Sequence, residues 1–191
     1  LSCLAILATL AAAPPAFAQS PRQPNWADIE RETLEHFQAI LRIDTRNPPG
    51  NERRAAEYLK SVFDREGIPA QLIALDSNRA NVVARIKGAG RKRPILIMGH
   101  TDVVTVDTTK WSHPPFAATR DSGYVYGRGA VDDKDNVTAG LMTMLLLKRL
   151  NVPLDRDVIF LGESGEEGNT RVGIGYVTEQ QFDKIDAEYC L

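Results

Sequence analysis

Apolar residues recur along this chain with two different spacings. Between Trp26 and Arg42, Leu34, Phe37 and Leu41 fall at i, i+3 and i+7, one face of a helix, and "DTRNPPGN" ends it because proline cannot continue the hydrogen-bond ladder. Ala55, Leu59 and Val62 line one face of a second helix over residues 52–66, with Gly67 as its C-terminal cap. "QLIAL" (71–75) and "NVVARIKG" (81–88) read as strands, and "PILIMG" (94–99) and "DVIFLGES" (157–164) as strands apolar enough to be covered on both faces. Residues 134–150 predict a helix apolar nearly all round, a pattern for burial between layers. The stretch 111–136, rich in Gly, Pro and aromatics, predicts a long loop of the kind that carries function. Helices alternating with strands make an α/β sheet with helices packed on it.

Composition alters this picture little: 43% apolar and 25% charged residues are ordinary for a globular domain, and a formal charge of -2 leaves no basic footprint for nucleic acid. The beginning of the chain alters it more. An apolar run from Leu4 to Ala13 followed by Ala16-Phe17-Ala18 has the form of a signal peptide, which predicts cleavage after Ala18, a linker over 19–25, and export to the periplasm or exterior. That run is too short for a stable membrane anchor, which needs about 20 residues. Cys3 falls in the predicted signal and Cys190 beside the last residue, so the mature chain is expected to hold no internal disulfide.

Chemistry gathers where the apolar runs stop. His100 and Asp102 follow one predicted strand, Glu163, Glu166 and Glu167 in "GESGEEGN" follow another, and Asp132 and Asp133 in "GRGAVDDK" precede the buried helix. Open α/β sheets bind ligands at the carboxyl ends of their strands. Carboxylates crowded there repel unless a cation compensates, and a histidine with Asp and Glu is a ligand set for zinc, with cobalt or manganese as alternatives. Taken singly, His100 reads equally well as a core imidazole and Asp132 as an acid favouring a helix start. Three separate elements ending in acids favour one shared metal site.

"GHTDVV", "YGRGAVDDK" and "GESGEEGN", in this order and at these intervals, resemble the M20 metallopeptidases, the group of Gly-X carboxypeptidases, aminoacylases, succinyl-diaminopimelate desuccinylase and glutamate carboxypeptidase. The resemblance extends over 26–191 and implies a zinc-exopeptidase-like catalytic domain: α/β, a mixed, largely parallel sheet with helices on both faces. It implies two Zn2+ ions per complete site, His100 and Glu167 as metal ligands, Asp132 as the carboxylate bridging both metals, a cis peptide bond between Asp132 and Asp133, Asp102 as the support of His100, and Glu166 as general base. The implied substrate is a small peptide or N-acyl amino acid. His36 and His113 match no ligand and are expected at the surface or in packing, Glu163 is expected at most to support the ligands, and Trp111 and Tyr126 are expected to pack the long loop.

The family's pattern also holds an acid some way beyond the Glu pair, a late histidine and an inserted dimerisation domain, none of which falls within these 191 residues. The expectation is therefore a truncated domain that binds metal weakly and lacks activity by itself, with a non-catalytic remnant as the rival reading and no basis for the family's frequent homodimer. A nucleotide-binding loop at "GRGAVDDK" is disfavoured, because that stretch lacks both the third glycine of G-x-G-x-x-G and the Gly-Lys-Ser/Thr of a P-loop.

Overall fold

The computed structural model describes residues 23–191. The predicted signal, its cleavage point and Cys3 lie outside the described residues. Eleven named helices and strands follow in the order α1 (Trp26–Leu41), α2 (Arg53–Arg65), β1 (Ala70–Asp76), β2 (Arg79–Ile86), β3 (Ile95–His100), β4 (Thr119–Asp121), β5 (Tyr124–Tyr126), α3 (Lys134–Arg149), β6 (Val158–Glu163), α4 (Tyr176–Gln180) and β7 (Tyr189–Cys190). No helix among the described residues is long and apolar enough to cross a membrane.

Five strands form one mixed sheet in the order β1-β2-β6-β3-β7. The β1–β2 and β2–β6 pairs are antiparallel, and the β6–β3 and β3–β7 pairs are parallel. Side chains alternate between the two faces of a strand, and the core divides accordingly. Val82, Ala84, Val158 and Phe160 face one layer with Leu59, Phe63, Leu141 and Leu145 of α2 and α3. Their neighbours Val83, Ile159 and Leu161 face a second layer with Val177 of α4 and Ile185. Helical cover on both faces explains why residues 158–161 of β6 are continuously apolar, since every residue of the strand is buried.

The parallel pair is what positions the site. Ile95 lies opposite Val158 and the register holds through His100 opposite Glu163, so both strands deliver their following loops to one edge of the sheet. A parallel connection needs a crossover. It is made by α3, eight of whose residues are buried, as the all-round apolar pattern predicts.

Local differences from the sequence reading have plain causes. The stretch 111–136 contains a two-stranded ribbon, β4 with β5, whose three-residue strands are too short to show a period. The third strand runs one residue further than expected and takes in His100. His36 is buried and its Nδ1 shares a 2.7 Å hydrogen bond with the Tyr58 hydroxyl, tying α1 to α2. His113 stacks on Tyr126 with ring centroids 4.3 Å apart, and the Arg128 guanidinium lies 5.3 Å from the centre of the Trp111 ring, so these aromatics pack the loop.

Arg149 joins three elements at the far end of α3. Its guanidinium donates to both Glu32 oxygens on α1 at 2.6 and 2.7 Å and to both Glu66 oxygens at the end of α2 at 2.9 and 2.7 Å. Those hydrogen bonds hold both carboxyls below their ordinary range, against an opposing effect of partial burial. A carboxylate with a depressed folded pKa stabilises above its unfolded value, about 4.3, and that contribution is lost as pH falls through the folded value. Replacing Arg149 with Met is expected to cost about 1 kcal/mol at pH 7. The difference from the parent chain, followed by urea unfolding, should shrink as the pH is lowered below about 4; a penalty that does not change with pH would exclude this ion network as its source.

Candidate metal centre

His100 is the last residue of β3, and its orientation is fixed from both sides. Its backbone N–H donates to Asp133 Oδ2 at 3.0 Å, its Nδ1 meets the Asp102 carbonyl oxygen at 3.1 Å, and its Nε2 meets Asp132 Oδ1 at 2.9 Å. The preceding residue must be glycine for Asp133 to come this close. A Cβ at Gly99 would lie 2.7 Å from Asp133 Oδ2 and 3.0 Å from Val137 Cγ2. Asp132 and Asp133 are joined by a cis peptide bond just before α3, as the resemblance implies.

Glu166 and Glu167 occupy the turn that follows β6. Gly165 opens that turn with φ +77°, a left-handed conformation glycine adopts freely, and a Cβ there would also lie 2.5 Å from the Asn169 carbonyl oxygen. Beneath the turn lies Asp102, fully buried. Its Oδ1 accepts the Glu166 N–H and its Oδ2 the Glu167 N–H, both at 3.0 Å, and Oδ2 also accepts from Asn47 Nδ2 at 3.0 Å. His100 Nδ1 stands 3.6 Å from Asp102 Oδ1, a contact of charges rather than a hydrogen bond. Thus the Asp102 backbone orients the imidazole, while the Asp102 carboxylate holds the adjacent glutamates.

Further polar groups support the same turn. Asn81 Oδ1 accepts the Ser164 N–H at 2.9 Å, and Asn81 Nδ2 donates to the Val172 carbonyl at 3.0 Å. Thr101 donates its N–H and its hydroxyl to the Glu163 carbonyl, both at 2.8 Å. The buried Lys134 donates from Nζ to the Ile43 carbonyl at 2.7 Å.

One ligand atom each from His100, Glu166 and Glu167 lie within 4.8 Å of one another. Asp132 joins this group through its contact with His100, and Glu166 Oε2 stands 3.8 Å from His100 Nε2. The site is open to solvent, with the side chains of Asp132 and Glu166 73% and 52% exposed. Its electrostatics call for a cation. Burial by itself would lower the His100 pKa, but Asp102, Asp132 and Asp133 outweigh it and raise the group to about 9. Burial, then the charges of Asp132 and Glu166, push Glu167 above its ordinary value, and burial pushes Glu163 up to about 7. Burial lowers Lys134 to about 8. A proton on His100 thus occupies the electrostatic position that a divalent ion would take among these oxygens. The donor set, one imidazole with several carboxylates, fits zinc, cobalt or manganese.

All five residues singled out from the sequence meet at this edge, four around the opening and Asp102 below them. Asn47, Asn81, Lys134 and the support given by Asp133 were not assigned roles from the sequence. Their signal lies in long-range hydrogen bonds, and "RNPPGN" reads locally only as the end of a helix.

The sequence model of Peptidase family M20/M25/M40 matches residues 96–191, which span β3, the Asp pair and the Glu pair. The chain belongs to this family. It is 35% identical over 140 residues to a Staphylococcus aureus protein named "Probable succinyl-diaminopimelate desuccinylase", covering 72% of this chain and 34% of that protein. It is 34% identical over 142 residues to the N-formyl-4-amino-5-aminomethyl-2-methylpyrimidine deformylase of Halalkalibacterium halodurans, covering 72% of this chain and 33% of that one. Among solved structures, an M20 family metallo-carboxypeptidase from Sulfolobus solfataricus superposes with a TM-score of 0.71 at 26% identity, over 84% of this chain and 36% of that chain. The chain therefore spans about a third of the length of the curated relatives it matches.

The close approach at Gly99 yields a direct prediction. Gly99→Ala should destabilise the fold by about 1–3 kcal/mol, because the added methyl must displace Asp133 or the first turn of α3. Urea unfolding measures this, and an unchanged midpoint would mean that the Asp133 carboxylate does not depend on that gap.

Proposed function

We propose that an enzyme carrying these residues is a metal-dependent hydrolase that cleaves an amide or peptide bond in a small peptide or N-acyl amino acid. The observation that carries this reading is the convergence of His100, Glu166 and Glu167, with Asp132 against the imidazole, from three distant segments of the chain. Membership of a peptidase family and likeness to a metallo-carboxypeptidase support the class of reaction. The two relatives named as a desuccinylase and a deformylase are named for removing an acyl group, and the N-formyl of the second places that group on nitrogen, which favours an amide substrate.

In this reading His100, Asp132 and Glu167 would hold Zn2+, with Asp132 the carboxylate that two ions would share, as the resemblance implies. When bound, zinc lowers the pKa of water toward 7 and polarises a carbonyl. Glu166 then acts as general base and acid: its free carboxylate accepts a proton from the attacking water and returns it to the departing amine. Asp102 keeps Glu166 and Glu167 pointing at the same opening by holding their backbone amides. Asp133, bonded to the His100 N–H, fixes the end of β3. Export from the cytoplasm belongs to the same proposal and rests on the signal-like residues 1–18.

Base and ligand separate in two variants. Glu166→Gln in the full-length enzyme should retain its metal by elemental analysis while turnover falls by about 10²–10⁴. Asp132→Ala should lose metal as well as turnover. Equal metal content in the two variants would reverse or abolish these assignments.

A further inference from the structure

We infer that Asn47 is a positioning residue that sets the direction of the Asp102 carboxylate and, through it, the Glu166–Glu167 turn; the consequence for metal binding rests on the function proposed above. Only a donor can face a carboxylate oxygen at 3.0 Å, so the Asn47 amide presents its Nδ2 to Asp102. The Asp102 side chain has no exposed surface, so in the folded chain its oxygens depend on protein donors. Oδ2 is shared by Asn47 and the Glu167 amide, which leaves Oδ1 for the Glu166 amide. Without Asn47, Oδ2 would be one donor short in a buried place, and the carboxylate could turn so that Oδ1 draws on His100 Nδ1, which stands 3.6 Å from it. Rotation toward it would draw the imidazole from the Asp102 carbonyl and loosen both glutamate amides.

Asn47 is itself held in place by backbone. Its N–H donates to the Val103 carbonyl at 2.8 Å, and the Val103 N–H donates to the Thr45 carbonyl at 3.1 Å, so residues 45–47 run alongside 101–103. Thr45 Oγ1 also donates to the Thr101 carbonyl at 2.6 Å. A Cβ at Gly168, in the same turn as the glutamates, would lie 4.0 Å from Asn47 Nδ2, which places the amide directly under that turn. The segment that ends the first helix thereby becomes part of the floor of the site.

Three variants and a spectroscopic measurement test this. Asn47→Ala removes the donor, Asn47→Asp replaces it with an acceptor of nearly the same shape, and Thr45→Val disturbs the same loop without touching Asp102. Hydrogen exchange of the Glu166 and Glu167 amides in the metal-free chain should speed up by about tenfold or more in both Asn47 variants and stay within about twofold in Thr45→Val. Co2+ affinity, read from its visible absorption, should fall about 10- to 100-fold in the Asn47 variants only. In the parent chain, an Asn47 side-chain amide proton should exchange slowly and show a nuclear Overhauser contact to the Glu167 amide proton, a readout that survives any failure of the variants to fold. Unchanged exchange at Glu166 and Glu167 in folded Asn47 variants, or absence of that contact in the parent, would overturn the inference. Faster exchange at Glu166 and Glu167 in the Asn47 variants with Co2+ affinity unchanged would uphold the positioning role and remove only its consequence for metal binding.

Discussion

A carboxylate taken out of water must recover its lost hydration from the protein, and Asp102 does so with N–H donors from two separate segments. The segment after β6 contributes the amides of Glu166 and Glu167, and the segment after α1 contributes Asn47. Its own backbone carbonyl meets the His100 ring. Burial would raise the Asp102 pKa, yet the neighbouring His100, then the hydrogen bonds from Asn47 and the Glu167 amide, hold the group below its ordinary range. The exposed acids above it are aimed by this buried charge.

The arrangement is possible because β3 and β6 are parallel and in register. Antiparallel neighbours would send the His100 and Glu166 loops to opposite edges of the sheet. The parallel pair requires a crossover, and α3 supplies it with Asp132 and Asp133 just ahead of its first turn. One helix therefore closes the core with Val137, Leu141 and Leu145 and presents two acids to the end of β3. Core packing and site geometry are the same constraint seen from the two ends of α3.

Much of this was legible in the residue pattern. The periods of the helices, the continuous apolar runs of β3 and β6, and acids at their ends pointed to an α/β sheet with acidic clusters at its strand ends, and the family resemblance singled out His100, Asp132, Glu166 and Glu167 among them. The supporting layer was not legible, for a physical reason. Asn47 lies 55 residues from Asp102 and Asn81 lies 83 from Ser164, and neither asparagine differs in local context from one in an ordinary turn or strand. Lys134 opens a helix where a solvated lysine would be expected, and only the fold reveals that its ammonium is buried on the Ile43 carbonyl. Hydrogen-bond partners set by tertiary contact leave no period to read. The ribbon of β4 and β5 escaped for the opposite reason, being local but too short.

The most direct test of the metal centre is anomalous diffraction from crystals of the chain soaked in zinc, recorded on both sides of the zinc absorption edge. The account predicts a peak bounded by His100 Nε2 and carboxylate oxygens of Asp132 and Glu167, each about 2.0–2.2 Å from the ion. A map with no peak at that edge of the sheet, or with zinc bound elsewhere while these side chains point apart, would contradict it.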